Sequence, residues 1–171
     1  MYVCLCLQVP TAVRAVSHKA SEDGVPIEIS CTLTFAPTKD GETRTSTFTN
    51  SFENAFRQRA AIIGVKQSIE LDDFCISGTV STECFFKHYK THGFTANDMC
   101  VDASGIETVR VPTGEGQEVM MWEAFARLHA ARASATGKED LVWWADKALR
   151  TQRVLNALME SQRRDGVSVD V

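Results

Sequence analysis

Arg57, Gln58 and Arg59 carry the most definite binding chemistry in this chain of 171 residues. On an extended strand, successive side chains point to opposite faces, so Arg57 and Arg59 share one face and Gln58 takes the other. Two guanidiniums on the open face of a sheet can hold an anionic or sugar-like substrate through forked hydrogen bonds. The commoner use of such arginines is a solvated surface or an ion pair. Asp72 and Asp73 are neighbouring acids. Strand alternation sends them to opposite faces, so they cannot act as one carboxylate pair, and they read as strand-end or turn acids. His88 and His92 are four apart. That spacing suits metal ligation on a helix, but here the pair flanks a strand end near Gly93, with no well-spaced acid or cysteine to complete a site. His18 and His129 have no evident partner in the sequence, and no metal ligand is assigned.

Gly114-Glu115-Gly116-Gln117-Glu118-Val119 follows a strand pattern and opens a helix pattern. That context suits a dinucleotide-binding loop, whose third glycine lets helix and strand pack closely. Val119 occupies that third position, and the next element is another helix rather than a second parallel strand. A plain strand-to-helix turn is the simpler reading. Trp143 and Trp144 read as core or interface aromatics. These residues alone contain no convincing nucleophile–base pair, metal site or phosphate loop.

Eighteen basic against 22 acidic residues give a net charge of −4, which argues against nucleic acid or an anionic membrane as the main partner. Hydrophobic content of 44% and charged content of 23% are ordinary globular values. No apolar run approaches the roughly 18–20 residues that a membrane helix needs. Met1 to Leu7 is apolar but short, lacks a basic flank and is closed by Pro10, so it reads as a strand or helix end rather than a signal peptide. The six cysteines form no C-x-x-C pair, and free thiols in a reducing, cytoplasmic setting are expected.

The elements that must position these residues follow from periodicity. Ala12–His18 reads as a strand and Asp23-Gly24 as a turn. Ile27, Ile29, Cys31, Leu33 and Phe35 alternate with polar residues, which predicts a strand with one buried face. Asp40-Gly41 predicts a hairpin into a threonine-rich strand from Thr43 to Phe52. Phe56–Ile63 and Gln67–Ile76 are predicted to pair across Gly64. Cys84–Tyr89, Asp98–Asp102 and Glu107–Val111 are further strands. A helix follows over Gln117–Arg132 and another over Asp140–Arg164, the second with a stripe of Leu141, Trp144, Ala148, Thr151, Leu155 and Leu158. Asp140 is its expected N-cap and Gly166 its stop. Val167, Val169 and Val171 suggest a last short strand. The pattern predicts one α+β domain over residues 1–171, with a large open, mostly antiparallel sheet and both C-terminal helices on one face.

Phe48-Thr49-Asn50-Ser51-Phe52, Ile63 through Phe74, Gln117 through Leu128, and Ala148 through Ser161 with Gly166 and Val169 stand in a particular order. In that order they resemble the C-terminal half of the glucose–fructose oxidoreductase, inositol dehydrogenase and MocA family (Gfo/Idh/MocA). The nearer likeness is to its dihydrodiol-dehydrogenase-like members. The resemblance runs from about Val9 to Val171, and residues 1–8 match poorly. It implies an NAD(P)-dependent oxidoreductase acting on sugars, polyols or related diols. It also implies an N-terminal Rossmann domain followed by this domain, whose open sheet lines the substrate site and builds a homodimer interface. No Glu-Lys-Pro motif occurs in the chain, and Gln67 stands where relatives usually have glycine. No catalytic or cofactor-binding residue of the family can therefore be transferred, and Arg57, Gln58 and Arg59 remain as substrate-facing candidates. The expectation is a substrate-binding and dimerising domain that alone neither binds NAD(P) nor turns over substrate. The alternative is a non-enzymatic module that binds or oligomerises through its sheet.

Overall fold

The computed structural model describes residues 8–64, 67–72, 83–90, 106–112, 115–133 and 138–171. Their elements run β1 (Ala12–Ala20), β2 (Pro26–Thr34), β3 (Thr45–Ser51), β4 (Ala60–Ile63), β5 (Gln67–Leu71), β6 (Glu83–Lys90), β7 (Ile106–Pro112), α1 (Gln117–Ala133), α2 (Lys138–Arg163) and β8 (Val169–Asp170). The class is α+β, with antiparallel strands and C-terminal helices. The strands fall into two four-stranded sheets, ordered β3-β2-β1-β8 and β4-β5-β6-β7, where the sequence pattern predicts one large sheet. The chain correspondingly divides into two compact units, Met1–Asn54 with Ala131–Val171 and Ala55–Ala130. The break follows β3, where residues 52–59 leave regular strand pairing apart from one bridge at Gln58.

In the first unit, period-two alternation aligns the apolar side chains of neighbouring strands. Val13 pairs with Leu33 and Ala15 with Cys31, and Cys31 pairs in turn with Phe48. These residues and Phe35 form a core with Val154, Ala157 and Leu158 of α2. The opposite face carries Ser30, Thr32, Thr34, Thr47 and Thr49 in register.

The buried stripe of α2 is Val154, Ala157, Leu158 and Ser161, shifted from the predicted one; Leu155 is over a third exposed. Small residues explain the shift, since Ala157 and Ser161 let the helix approach Ala15 closely. Ser161 is wholly buried: its Oγ accepts from the Ala15 backbone N–H at 2.9 Å and donates to the Val167 carbonyl at 2.7 Å. Asp140 lies in the first turn beside Glu139, not at the N-cap, and there complements the helix dipole. At the other end the Gly166 N–H reaches back to the Ser161 carbonyl at 2.9 Å. Asp165 and Gly166 both take left-handed backbone, with φ of 52° and 80°, as a helix C-cap requires. A Cβ on Gly166 would lie 2.8 Å from Val16 Cγ2.

One helix cannot cover this sheet. Four strands span roughly 19 Å at about 4.8 Å spacing, whereas a helix with its side chains is about 10 Å across. α2 lies over β1 and β8. A groove of about 510 Å³ remains between α2 and β2–β3, lined by Ile29, Cys31, Phe48, Leu155, Leu158 and Met159 among others. Cys31 is a free, buried thiol, and burial pushes its pKa up to about 11. The side chains of the other cysteines lie outside the described residues.

The second unit is an antiparallel meander. Ala61 pairs with Glu70, Glu70 with Lys87, and Lys87 with Thr108. Gly64 closes the β4–β5 connection, its N–H reaching the Gln67 carbonyl at 2.9 Å. The predicted extension of β5 to Ile76 and the predicted strand Asp98–Asp102 lie outside the described residues. α1 keeps the predicted range, but Met121, Trp122 and Phe125 on it are exposed, and Trp122 meets Phe125 edge to face at 6.2 Å. No described helix is long and apolar enough to cross a membrane.

Candidate functional site

The register of the second sheet sorts its residues into two faces. Ile69 pairs with His88, and His88 with Glu107. Strand alternation therefore places Ile62, Ile69, Leu71, Phe86, His88 and Val109 on one, largely apolar face. The other face carries Ser68, Glu70 and Asp72 from β5 and its extension, and Phe85, Lys87 and Tyr89 from β6. The stretch preceding β4 brings Phe56 through Arg59 to the same place.

The result is an open polar depression of about 480 Å³, lined by Phe56, Arg57, Gln58, Arg59, Glu70, Asp72, Lys87 and Tyr89. Its volume falls in the range of roughly 300–1,000 Å³ seen for small-molecule sites. All three candidates from the sequence, Arg57, Gln58 and Arg59, line it; Gln58 joins the arginines rather than taking the opposite face, because these residues lie outside a regular strand apart from one bridge. Arg59 Nη2 donates to Glu70 Oε2 at 2.5 Å, and the Tyr89 hydroxyl donates to the same oxygen at 2.8 Å. Lys87 Nζ donates to Asp72 Oδ2 at 3.0 Å.

These contacts set the protonation states. The hydrogen bond from Arg59, then that from Tyr89, holds the Glu70 carboxyl below its ordinary range. The Lys87 hydrogen bond and charge do the same for Asp72. The reciprocal effects raise Arg59 and Lys87. Tyr89 is raised chiefly because its proton is engaged by Glu70. Near neutral pH the pocket thus holds ionised carboxylates, cations and a protonated phenol. That is a set of fixed donors and acceptors suited to hydroxyl groups. A proton shuttle would instead need a group titrating near the working pH.

The sequence readings separate here. Asp72, read as a turn acid, belongs to the pocket. Glu70, Lys87 and Tyr89 were missed, although the i, i+2 spacing of Glu70 with Asp72 and of Lys87 with Tyr89 marks two polar strand faces. Only the β5–β6 register brings them together. His88 lies on the opposite face, where its Nε2 pairs with Gln67 Oε1 at 3.0 Å and its Nδ1 is 3.8 Å from Glu107. It does not join the arginines. His18 is in the first unit, 2.8 Å from Ser30 Oγ, and His129 is exposed on α1. Asp73 and His92 lie outside the described residues, and so does Gly114. Gly116 leads from β7 into α1, and β7 pairs antiparallel with β6. A dinucleotide-binding glycine loop leaves a parallel strand, whereas β7 is antiparallel to its neighbour. Among the described residues, no three His, Cys, Asp or Glu side chains group to hold a metal ion.

No protein-family model matches the chain, and no curated protein matches it.

Proposed function

We propose that this chain is the substrate-binding and dimerising domain of an NAD(P)-dependent oxidoreductase of the Gfo/Idh/MocA type, acting on sugars, polyols or related diols. The observation that carries the reading is the convergence of Arg57, Gln58 and Arg59 with Glu70, Asp72, Lys87 and Tyr89 around one open pocket. Carboxylates accept from hydroxyl groups, and guanidinium, ammonium and phenol donate to them. The order of segments from Phe48 to Ser161 supports the family. In this reading the cofactor and the hydride step belong to a nucleotide-binding domain, and a cytoplasmic, reducing setting keeps Cys31 a thiol. Residues 1–171 alone bind no NADPH and turn over no substrate; micromolar NADPH affinity by calorimetry would contradict that assignment. Direct binding tests the pocket. Ligand-observed NMR with inositol, sorbitol, gluconate and a cyclic cis-diol should show binding that Glu70→Ala weakens. Silence across the whole panel sinks the reading.

The dimer rests on apolar residues that one face of the second sheet, the face away from the pocket, leaves exposed, Ile62 and Val111. A second copy of the chain would cover them. Sedimentation should show a dimer. The second reading, a non-enzymatic binding or oligomerisation module, draws on the exposed Trp122 and Phe125 of α1. A well-behaved dimer that binds no member of the ligand panel favours it.

A further inference from the structure

The pocket's charges are unequal. Its described lining holds three cations, Arg57, Arg59 and Lys87, against two carboxylates, Glu70 and Asp72. Each carboxylate is already hydrogen-bonded to a cation, Glu70 to Arg59 and Asp72 to Lys87. Arg57 is the charge left over, although its field reaches Asp72. This local excess is positive in a chain whose net charge is −4, so it is not a consequence of overall composition.

We propose that the pocket takes a polyhydroxylated monocarboxylate, a sugar acid, in preference to a neutral sugar or polyol. This rests on the substrate-binding reading above and narrows it. The carboxylate sits on the Arg57 fork, where two parallel N–H···O bonds are available. Neighbouring hydroxyls meet the carboxylate oxygens that the existing network leaves over. Both side-chain bonds to Glu70 end on Oε2, and the Lys87 bond to Asp72 ends on Oδ2. Among the described residues, Glu70 Oε1 and Asp72 Oδ1 are therefore open to accept from a vicinal pair of hydroxyls. The same two carboxylates set the upper limit on ligand charge. A monoanion balances the excess, whereas a phosphate ester brings a charge near −2 against Glu70 and Asp72.

Gluconate and sorbitol test this cleanly, because they share six carbons and five hydroxyls and differ in a terminal carboxylate against a hydroxymethyl group. Titration of the full chain by NMR is expected to show gluconate binding about tenfold tighter than sorbitol, the scale of one exposed charge-assisted contact. Added salt should shrink that advantage. Arg57→Gln should bring gluconate down to the affinity that sorbitol has for the unaltered chain. Arg57→Lys should keep part of the advantage, with an unchanged amide spectrum reporting that each variant is folded. Equal affinities in the unaltered chain would overturn the sugar-acid assignment and leave the polyol reading standing. An advantage that survives Arg57→Gln would also overturn it. If neither ligand binds, the assignment fails, and the reading beneath it fails with it only when inositol and the cyclic cis-diol are silent as well.

Discussion

The two sheets have the same strand number and the same antiparallel pairing, yet one holds the core and the other holds the polar candidate pocket. In the first unit a helix lies on the apolar face, and all the buried hydrophobic residues among those described belong to that unit. In the second unit the strands are half-buried or exposed on both faces, and its polar face is laced by Arg59–Glu70 and Lys87–Asp72. The difference is a division of labour by burial. A covered face must be apolar and closely packed. An open face can keep charged side chains in water, where a ligand can reach them.

The comparison is broken most directly at Leu33, which is wholly buried. Leu33→Ala should cost about 2–5 kcal/mol by lost transfer and cavity formation, read as a fall in the denaturant midpoint. Ile63 is 82% exposed in the second sheet, and Ile63→Ala should stay within about 0.5 kcal/mol. A large loss there would mean that the pocket-side face of the second sheet is covered in solution. Ser161→Ala comes next. It orphans the buried Ala15 N–H and removes the donor to the Val167 carbonyl, for an expected loss of about 1–3 kcal/mol. Hydrogen exchange should then quicken at Ala15 rather than at β5 or β6.

The smallest effect concerns acid. Glu70 and Asp72 are held below their ordinary values in the folded chain. Their contribution is present above about pH 4, the unfolded carboxylate range, and is lost as pH falls through the lowered folded values. Carboxyl-carbon NMR should show both titrating below that range, with the Tyr89 signals following Glu70. Ordinary titration of Glu70 would mean that the Arg59 bond is not populated. Cys31 behaves oppositely, since its raised pKa leaves it a slow nucleophile until pH nears about 11. Alkylation followed by mass spectrometry across pH 7–11 checks this.

Periodicity made the ranges of β2, β7, α1 and α2 legible, because each pattern spans several residues, but it reported burial well only on β2, since Met121, Trp122 and Phe125 of α1 are exposed. The division into two sheets was not legible, since alternation gives a strand its face and not its neighbour. The pocket was visible only in part for the same reason. Arg57 and Arg59 declare themselves by spacing, but Glu70 and Tyr89 meet only through a cross-strand register set far along the chain. The buried stripe of α2 was misjudged because hydrophobicity favours Leu155, whereas close packing on Ala15 favours Ala157 and Ser161.

The first unit is discontinuous in sequence, and this has a consequence for the order of synthesis. β1 to β3 leave the ribosome before α2, with Val13, Leu33 and Phe35 set to face a helix that has not yet been made. Val154 follows Phe35 by 119 residues, which at about 5–20 residues per second is on the order of ten seconds. Throughout that interval the nascent sheet displays its apolar face, and the clasp from Ser161 to Ala15 closes only once the end of α2 has emerged. A chain stalled after β7 would therefore keep the strands of its core and lack their cover, making it a natural client for a chaperone or a protease.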